Sequence, residues 1–152
     1  MVELTAVADT FHKLAEELGP HLLREERVLF PYIQALASPE GAPPPPFGTV
    51  RNPVRVMTFE HDRAAELLAA LYDATGAFVA PPDACASSRA LYAALAELRL
   101  DLLRHVSLEN NVLFPRALDL EDRQMGDHSH APGAEARQAP STASSNGRTI
   151  RP

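Results

Sequence analysis

The fold that the sequence predicts is all-α, an antiparallel bundle of three long helices. Three observations predict it. Apolar residues recur at intervals of three and four through roughly 2–37, 54–79 and 87–119, the period of a helix that buries one stripe. Ala, Leu, Glu and Arg dominate these stretches and form helices readily, whereas the period-two alternation of a half-buried strand is never sustained. Proline-rich segments separate the stretches, as expected where no helix can continue.

The first helix carries the stripe Leu4, Val7, Phe11, Leu14, Leu18, His21, Glu25, Val28 and Tyr32. Within it, Pro20 lacks a backbone N–H and crowds the preceding turn, so a kink or break is expected just before His21. Ser38 to Pro53 (SPEGAPPPPFGTVRNP) reads as a loop, because its proline run has no N–H groups to give a helix or sheet. The second helix presents Met57, His61, Ala64, Leu68, Leu71, Thr75 and Phe78. After the break at Ala80-Pro81-Pro82-Asp83, the third presents Leu91, Leu95, Leu98, Leu102, His105, Glu109 and Val112. From about Glu121 onward the periodicity stops, and Ser, Ala, Pro, Gly and Arg take over. Such a segment buries too little apolar surface to offset its ordering entropy. The chain is therefore expected to divide into a helical domain over 1–120 and a disordered tail over 121–152.

The 152 residues suit one domain. Fourteen basic against twenty acidic residues leave a formal charge of −6, which argues against a nucleic-acid surface. No apolar run approaches the roughly 20 residues that cross a bilayer, and an acid, Glu3, stands where a signal peptide would be basic. The single cysteine, Cys85, can form no internal disulfide and hold no Fe–S cluster alone. The expectation is a cytoplasmic protein that engages neither membrane nor nucleic acid. No Gly-rich phosphate loop, G-x-S-x-G elbow or C-x-x-C occurs, which removes nucleotide hydrolases, serine esterases and thioredoxin-like chemistry.

All three apolar stripes are interrupted by ionisable residues. Burying a carboxylate costs several kcal/mol unless something pairs with it. His61 alone proves little, since a lone histidine on a stripe is more often a hydrogen-bonded core residue. The pairs are different: His21 with Glu25 and His105 with Glu109 are each four residues apart, so each pair stacks on one helical face. Both lie in the same pattern, H-x-x-x-E-x-x-V-L-F-P, which aligns without a gap. Imidazole and carboxylate suit Fe, Mn or Zn, and two glutamates from facing helices can bridge two metals while histidines cap the ends. Glu26, Glu60, Asp62 and Asn110 flank these residues and could orient the rings from behind; for any one of them an exposed polar face is the simpler reading. His12 falls on the opposite side of its helix from His21, His128 and His130 lie in the tail, and Cys85 is read as inert.

The segments HLLREERVLFPYI, VRVMTFEHDRAAELL and RHVSLENNVLFPRAL together resemble the hemerythrin-like domain of the di-iron iron–sulfur cluster repair family (the repair-of-iron-centres, or ScdA/YtfE, type), over roughly 4–119. The resemblance implies iron ligands at His21, His61 and His105, and bridging carboxylates at Glu25 and Glu109. It implies two non-haem Fe ions, with Mn or Zn as alternatives, in a bacterial cytoplasmic four-helix bundle. The implied role is restoring Fe–S clusters damaged by oxidative or nitrosative stress, with Fe–S proteins as iron acceptors. A hemerythrin-like O₂ or NO carrier or sensor would use the same ligands, and a truncated paralogue would keep them in a crippled site. The family pattern carries a further helix with another histidine ahead of this region. Either the start is placed downstream of that helix, or the chain is a truncated paralogue, or a second copy or another chain completes the three helices.

Overall fold

The computed structural model describes residues 4–129. Three long rods form it. The first comprises α1 (Leu4–Arg24), a π-helical turn (Glu25–Leu29) and α2 (Phe30–Ala37). The second is α3 (Arg51–Ala74). The third comprises α4 (Ala86–Leu108), a second π-helical turn (Glu109–Leu113) and α5 (Phe114–Ser129). The described residues contain no strand, so the all-helical expectation stands. No helix among them is long and apolar enough to cross a membrane.

Two apolar layers close the bundle. One gathers residues of α1, α3 and α4, among them Leu14, Leu68, Leu71, Leu95 and Leu102. The other joins Leu29 and Ile33 to Val50, Met57, Phe114 and Ala117. Along every rod the ionisable residues fall between the two: Leu14, His21, Glu25, Leu29 on the first, Met57, His61, Ala64 on the second, and Leu102, His105, Glu109, Phe114 on the third.

The second stripe is buried residue for residue as its spacing predicts, although α3 stops at Ala74, and Thr75 and Phe78 reach the core from the turn beyond. The other two stripes change phase. Val28 is 44% exposed where a buried residue was expected, and Leu29 beside it is fully buried. Val112 is likewise 45% exposed, with the core position taken by Phe114 at 2%. A π turn holds about one residue more than an α turn, so everything after it is rotated by roughly 100°. Leu91 is also exposed, its place taken by Tyr92.

The expected break at Gly19–Pro20 does not occur. Helix α1 runs through Pro20; both Pro20 and Glu16, whose carbonyl loses its N–H partner, are exposed, so water can serve that carbonyl. The first loop is shorter than expected, because α3 begins at Arg51 and Pro53 sits in its first turn, where no N–H is needed.

Helix α5 runs on to Ser129, past the expected domain edge at residue 120. Glu121, expected to open the tail, is buried instead. It accepts hydrogen bonds from the Tyr32 hydroxyl (2.9 Å), the Val50 N–H (2.8 Å) and the Thr49 hydroxyl. Gln124, one turn on, pairs with both backbone groups of Ala42 at 2.8 and 2.7 Å. These bonds tie the proline-rich loop to α5. The rest of the expected tail, 130–152, lies outside the described residues.

Candidate metal centre

Five side chains converge between the apolar layers. His21 and Glu25 stack on one face of the first rod, His105 and Glu109 on one face of the third, and His61 enters from α3. One ligand atom from each lies within 4.8 Å of all the others. His21 Nε2 is 2.9 Å from Glu25 Oε1 and 3.1 Å from His61 Nε2. His61 Nε2 is 3.1 Å from Glu109 Oε2, and His105 Nε2 is 3.2 Å from that same oxygen. His105 Nε2 also stands 3.5 Å from Glu25 Oε2. Glu25 thus turns its two oxygens toward different histidines.

Burial and pairing compete at these groups. Burial alone would push the Glu25 carboxyl up, but the neighbouring His21 and His61 rings outweigh it and hold it down at about 2. Burial would push His61 down; Glu109, Glu25 and Asn110 prevail and hold it up at about 9. His21 is raised too, its burial opposed by Glu25 and Glu60.

Short distances do not make satisfied hydrogen bonds here. Both oxygens of Glu25, Oε2 of Glu109 and Nε2 of His105 are buried without a hydrogen-bond partner. Such orphans are rare in a folded interior and costly. Their lone pairs face a common centre, and separations near 3 Å are those of two ligands bonded at about 2.1 Å to one ion. The donor set fits a cation of the Fe, Mn or Zn kind.

Behind the rings stand two of the four flanking residues named from sequence. Glu60 Oε2 is 2.7 Å from His21 Nδ1, and the other oxygen of Glu60 pairs with Arg24. Asn110 Oδ1 is 3.0 Å from His61 Nδ1. The other two, Glu26 and Asp62, are exposed; each is one residue, about 100°, around its helix from a cluster side chain. Sequence reasoning missed Arg24, and it missed Phe114, which stacks on His61 with ring centroids 5.9 Å apart and planes 4° from parallel. Phe114 belongs to the repeated V-L-F-P element, a signal available in the sequence. His12 is exposed, 3.6 Å from Glu16, and Cys85 is an exposed free thiol ahead of α4. The side chains of His128 and His130 lie outside the described residues.

The model of the hemerythrin HHE cation binding domain matches residues 2–117. The chain belongs to that family. This hemerythrin HHE domain is 48% identical over 105 residues to the iron-sulfur cluster repair protein YtfE of Cronobacter sakazakii, a match covering 69% of this chain and 43% of that protein. It is 45% identical over 106 residues to the YtfE proteins of Escherichia coli O1:K1 / APEC and Escherichia fergusonii, covering 69% of this chain and 44% of each relative. The match therefore spans less than half the length of these curated relatives. The two H-x-x-x-E elements and His61 all fall inside the matched region.

Proposed function

We propose that this hemerythrin HHE domain holds two non-haem iron ions and serves the repair of Fe–S clusters, giving iron to damaged Fe–S proteins. His21, His61 and His105 are the terminal ligands in this reading, and Glu25 and Glu109 the bridging carboxylates. Glu60 and Asn110 fix the His21 and His61 rings so that each Nε2 lone pair points inward. One observation carries the dinuclear assignment: the two orphaned oxygens of Glu25 face different histidines, His21 at 2.9 Å and His105 at 3.5 Å. Oxygens of one carboxylate turned toward histidines of different helices are placed to bridge two ions. The names of the relatives support the repair role, which belongs to oxidative or nitrosative stress in the cytoplasm.

The test is metal content and spectrum. Wild-type protein loaded anaerobically should retain two irons per chain with the absorption of a carboxylate-bridged pair. Glu25→Ala and Glu109→Ala should each lose that spectrum; if both keep wild-type iron and absorption, the bridging assignment fails. Iron donation is tested separately, by transfer from the loaded protein to an apo Fe–S acceptor.

A second reading, O₂ or NO binding, has its own observation. An apolar cavity of about 40 Å³, walled by Leu18, Ala64, Leu68, Leu102, Leu103 and Val106, reaches His21, His61 and His105. That volume admits a diatomic gas and is a poor route for a hydrated ion. Rapid NO or O₂ binding without iron transfer to the acceptor would favour this reading over donation. In either case the open side of the three-helix bundle is proposed to be covered by a second chain, a homodimer partner or another protein.

A further inference from the structure

The three cluster histidines differ in what stands behind them. His21 Nδ1 faces a carboxylate, Glu60, at 2.7 Å, and that carboxylate is itself paired with Arg24. His61 Nδ1 faces a neutral amide, Asn110, at 3.0 Å. His105 has no partner behind its ring among the described residues, and its side chain is 33% exposed against 3% for each of the other two.

These differences matter for donor strength. A carboxylate accepting the Nδ1 proton fixes the tautomer, locks the ring and adds electron density at Nε2. An amide oxygen fixes tautomer and ring with less charge. A ring with nothing behind it is free to turn, and water can reach its exposed edge. His21 and His105 also face opposite oxygens of Glu25, as ligands of two different ions sharing a bridging carboxylate would.

We infer that the Arg24–Glu60 pair makes the two metal positions unequal, so that the ion bound through His21 is held more tightly and leaves later than the ion bound through His105. This rests on the dinuclear reading proposed above and says which ion is cargo. The cluster gives up the His105 ion to an acceptor while the His21 ion stays. The retained cation keeps Glu25 and its neighbours paired, so the bundle survives each release. Arg24 keeps Glu60 charged and oriented, and no other ionic group of the described residues faces the back of the His21 ring.

The experiment uses the full chain loaded anaerobically with Fe(II) and chased with excess of a coloured ferrous chelator. Two equal phases are expected, their rates at least about tenfold apart, the range over which partners behind a metal-bound histidine act. Glu60→Gln should speed the slow phase by about tenfold or more and leave the fast phase alone. Glu66→Gln, an exposed carboxylate on the same helix paired with Arg63 at 3.1 Å, should change neither. If Glu60→Gln fails to fold, His105→Ala carries the test: it should lose the fast phase and keep one slowly released ion. Two irons leaving in a single phase overturn the inference, as does a Glu60→Gln protein in which both phases quicken equally. Saturation at fewer than two irons per chain overturns the dinuclear reading itself, and the inference with it.

Discussion

At the scale of single residues, the metal-free centre is held together by protons where cations belong. His61, raised from 6.5 to about 9, stands among the carboxylates of Glu25 and Glu109. Binding a cation at His61 must expel its proton. Apparent metal affinity should therefore rise with pH up to about 9 and level off above, and titration calorimetry in buffers of different ionisation heat would count the protons released. The folding of the metal-free protein has the opposite slope. A histidine with a raised pKa stabilises the native state fully below 6.5 and loses that contribution as pH rises through about 9. The loss is on the order of 3 kcal/mol, and it should show as a falling melting temperature across that window in metal-free protein only. A flat metal-free profile would mean that His61 is neutral in the fold. That these five side chains share the buried faces of their helices was legible in the sequence, because an i,i+4 pair keeps its face whatever the helix does elsewhere. Which flanking residue reaches a ring was not. Glu60 and Asp62 straddle His61 equally in sequence, and only the way α3 lies against α1 selects Glu60.

At the scale of elements, the two π turns explain most of what periodicity misread. Each begins at a cluster glutamate, Glu25 or Glu109, and the stripe that follows is displaced by one residue after the first, from Val28 to Leu29, and by two after the second, from Val112 to Phe114. A seven-residue rhythm cannot announce an extra residue inside it. The same shift hid Glu121, which continues the true stripe of Phe114 and Ala117 and looked instead like the first polar residue of a tail. Two expectations follow. Deleting Arg27, an exposed residue of the first π turn, should return that turn to α geometry and leave helicity intact. Metal affinity should fall on the order of tenfold or more, because a ligand must be held to within about half an ångström; unaltered affinity would show that the π turn does not aim Glu25. Glu121→Ala would strand the Tyr32 hydroxyl, the Thr49 hydroxyl and the Val50 N–H. At about 1–3 kcal/mol for each buried group left unpaired, with water recovering part of it, chemical denaturation should register a loss of about 3 kcal/mol. A change below about 1 kcal/mol would make the clasp on the loop incidental.

At the scale of the whole molecule, the three rods of the described residues leave several large apolar side chains at the surface. Helix α1 packs along α3, and α3 against α4, while Val7 and Leu14 of α1 share one buried cluster with Leu95 and Leu102 of α4. Phe11, Leu91, Leu100 and Leu103 are all exposed, Leu91 and Leu100 on opposite sides of α4, and Leu103 also lines the wall of the apolar cavity beside the cluster. An uncovered apolar face of even roughly 500 Å² would be large for a monomer. At about 25 cal/mol per Å² its burial is worth on the order of 10 kcal/mol before the entropic cost of association. His105 is the one cluster ring open to solvent, its side chain 33% exposed. The protein should therefore sediment as a dimer at micromolar concentration, and metal loading should tighten the association. Leu103→Asp, which sets a charge on the open face without touching a ligand, should shift the population toward monomer and raise the binding of a hydrophobic dye. A wild-type protein that loads two irons, remains monomeric and binds no dye would mean that the three rods close their own core, with the exposed leucines scattered rather than joined in one face.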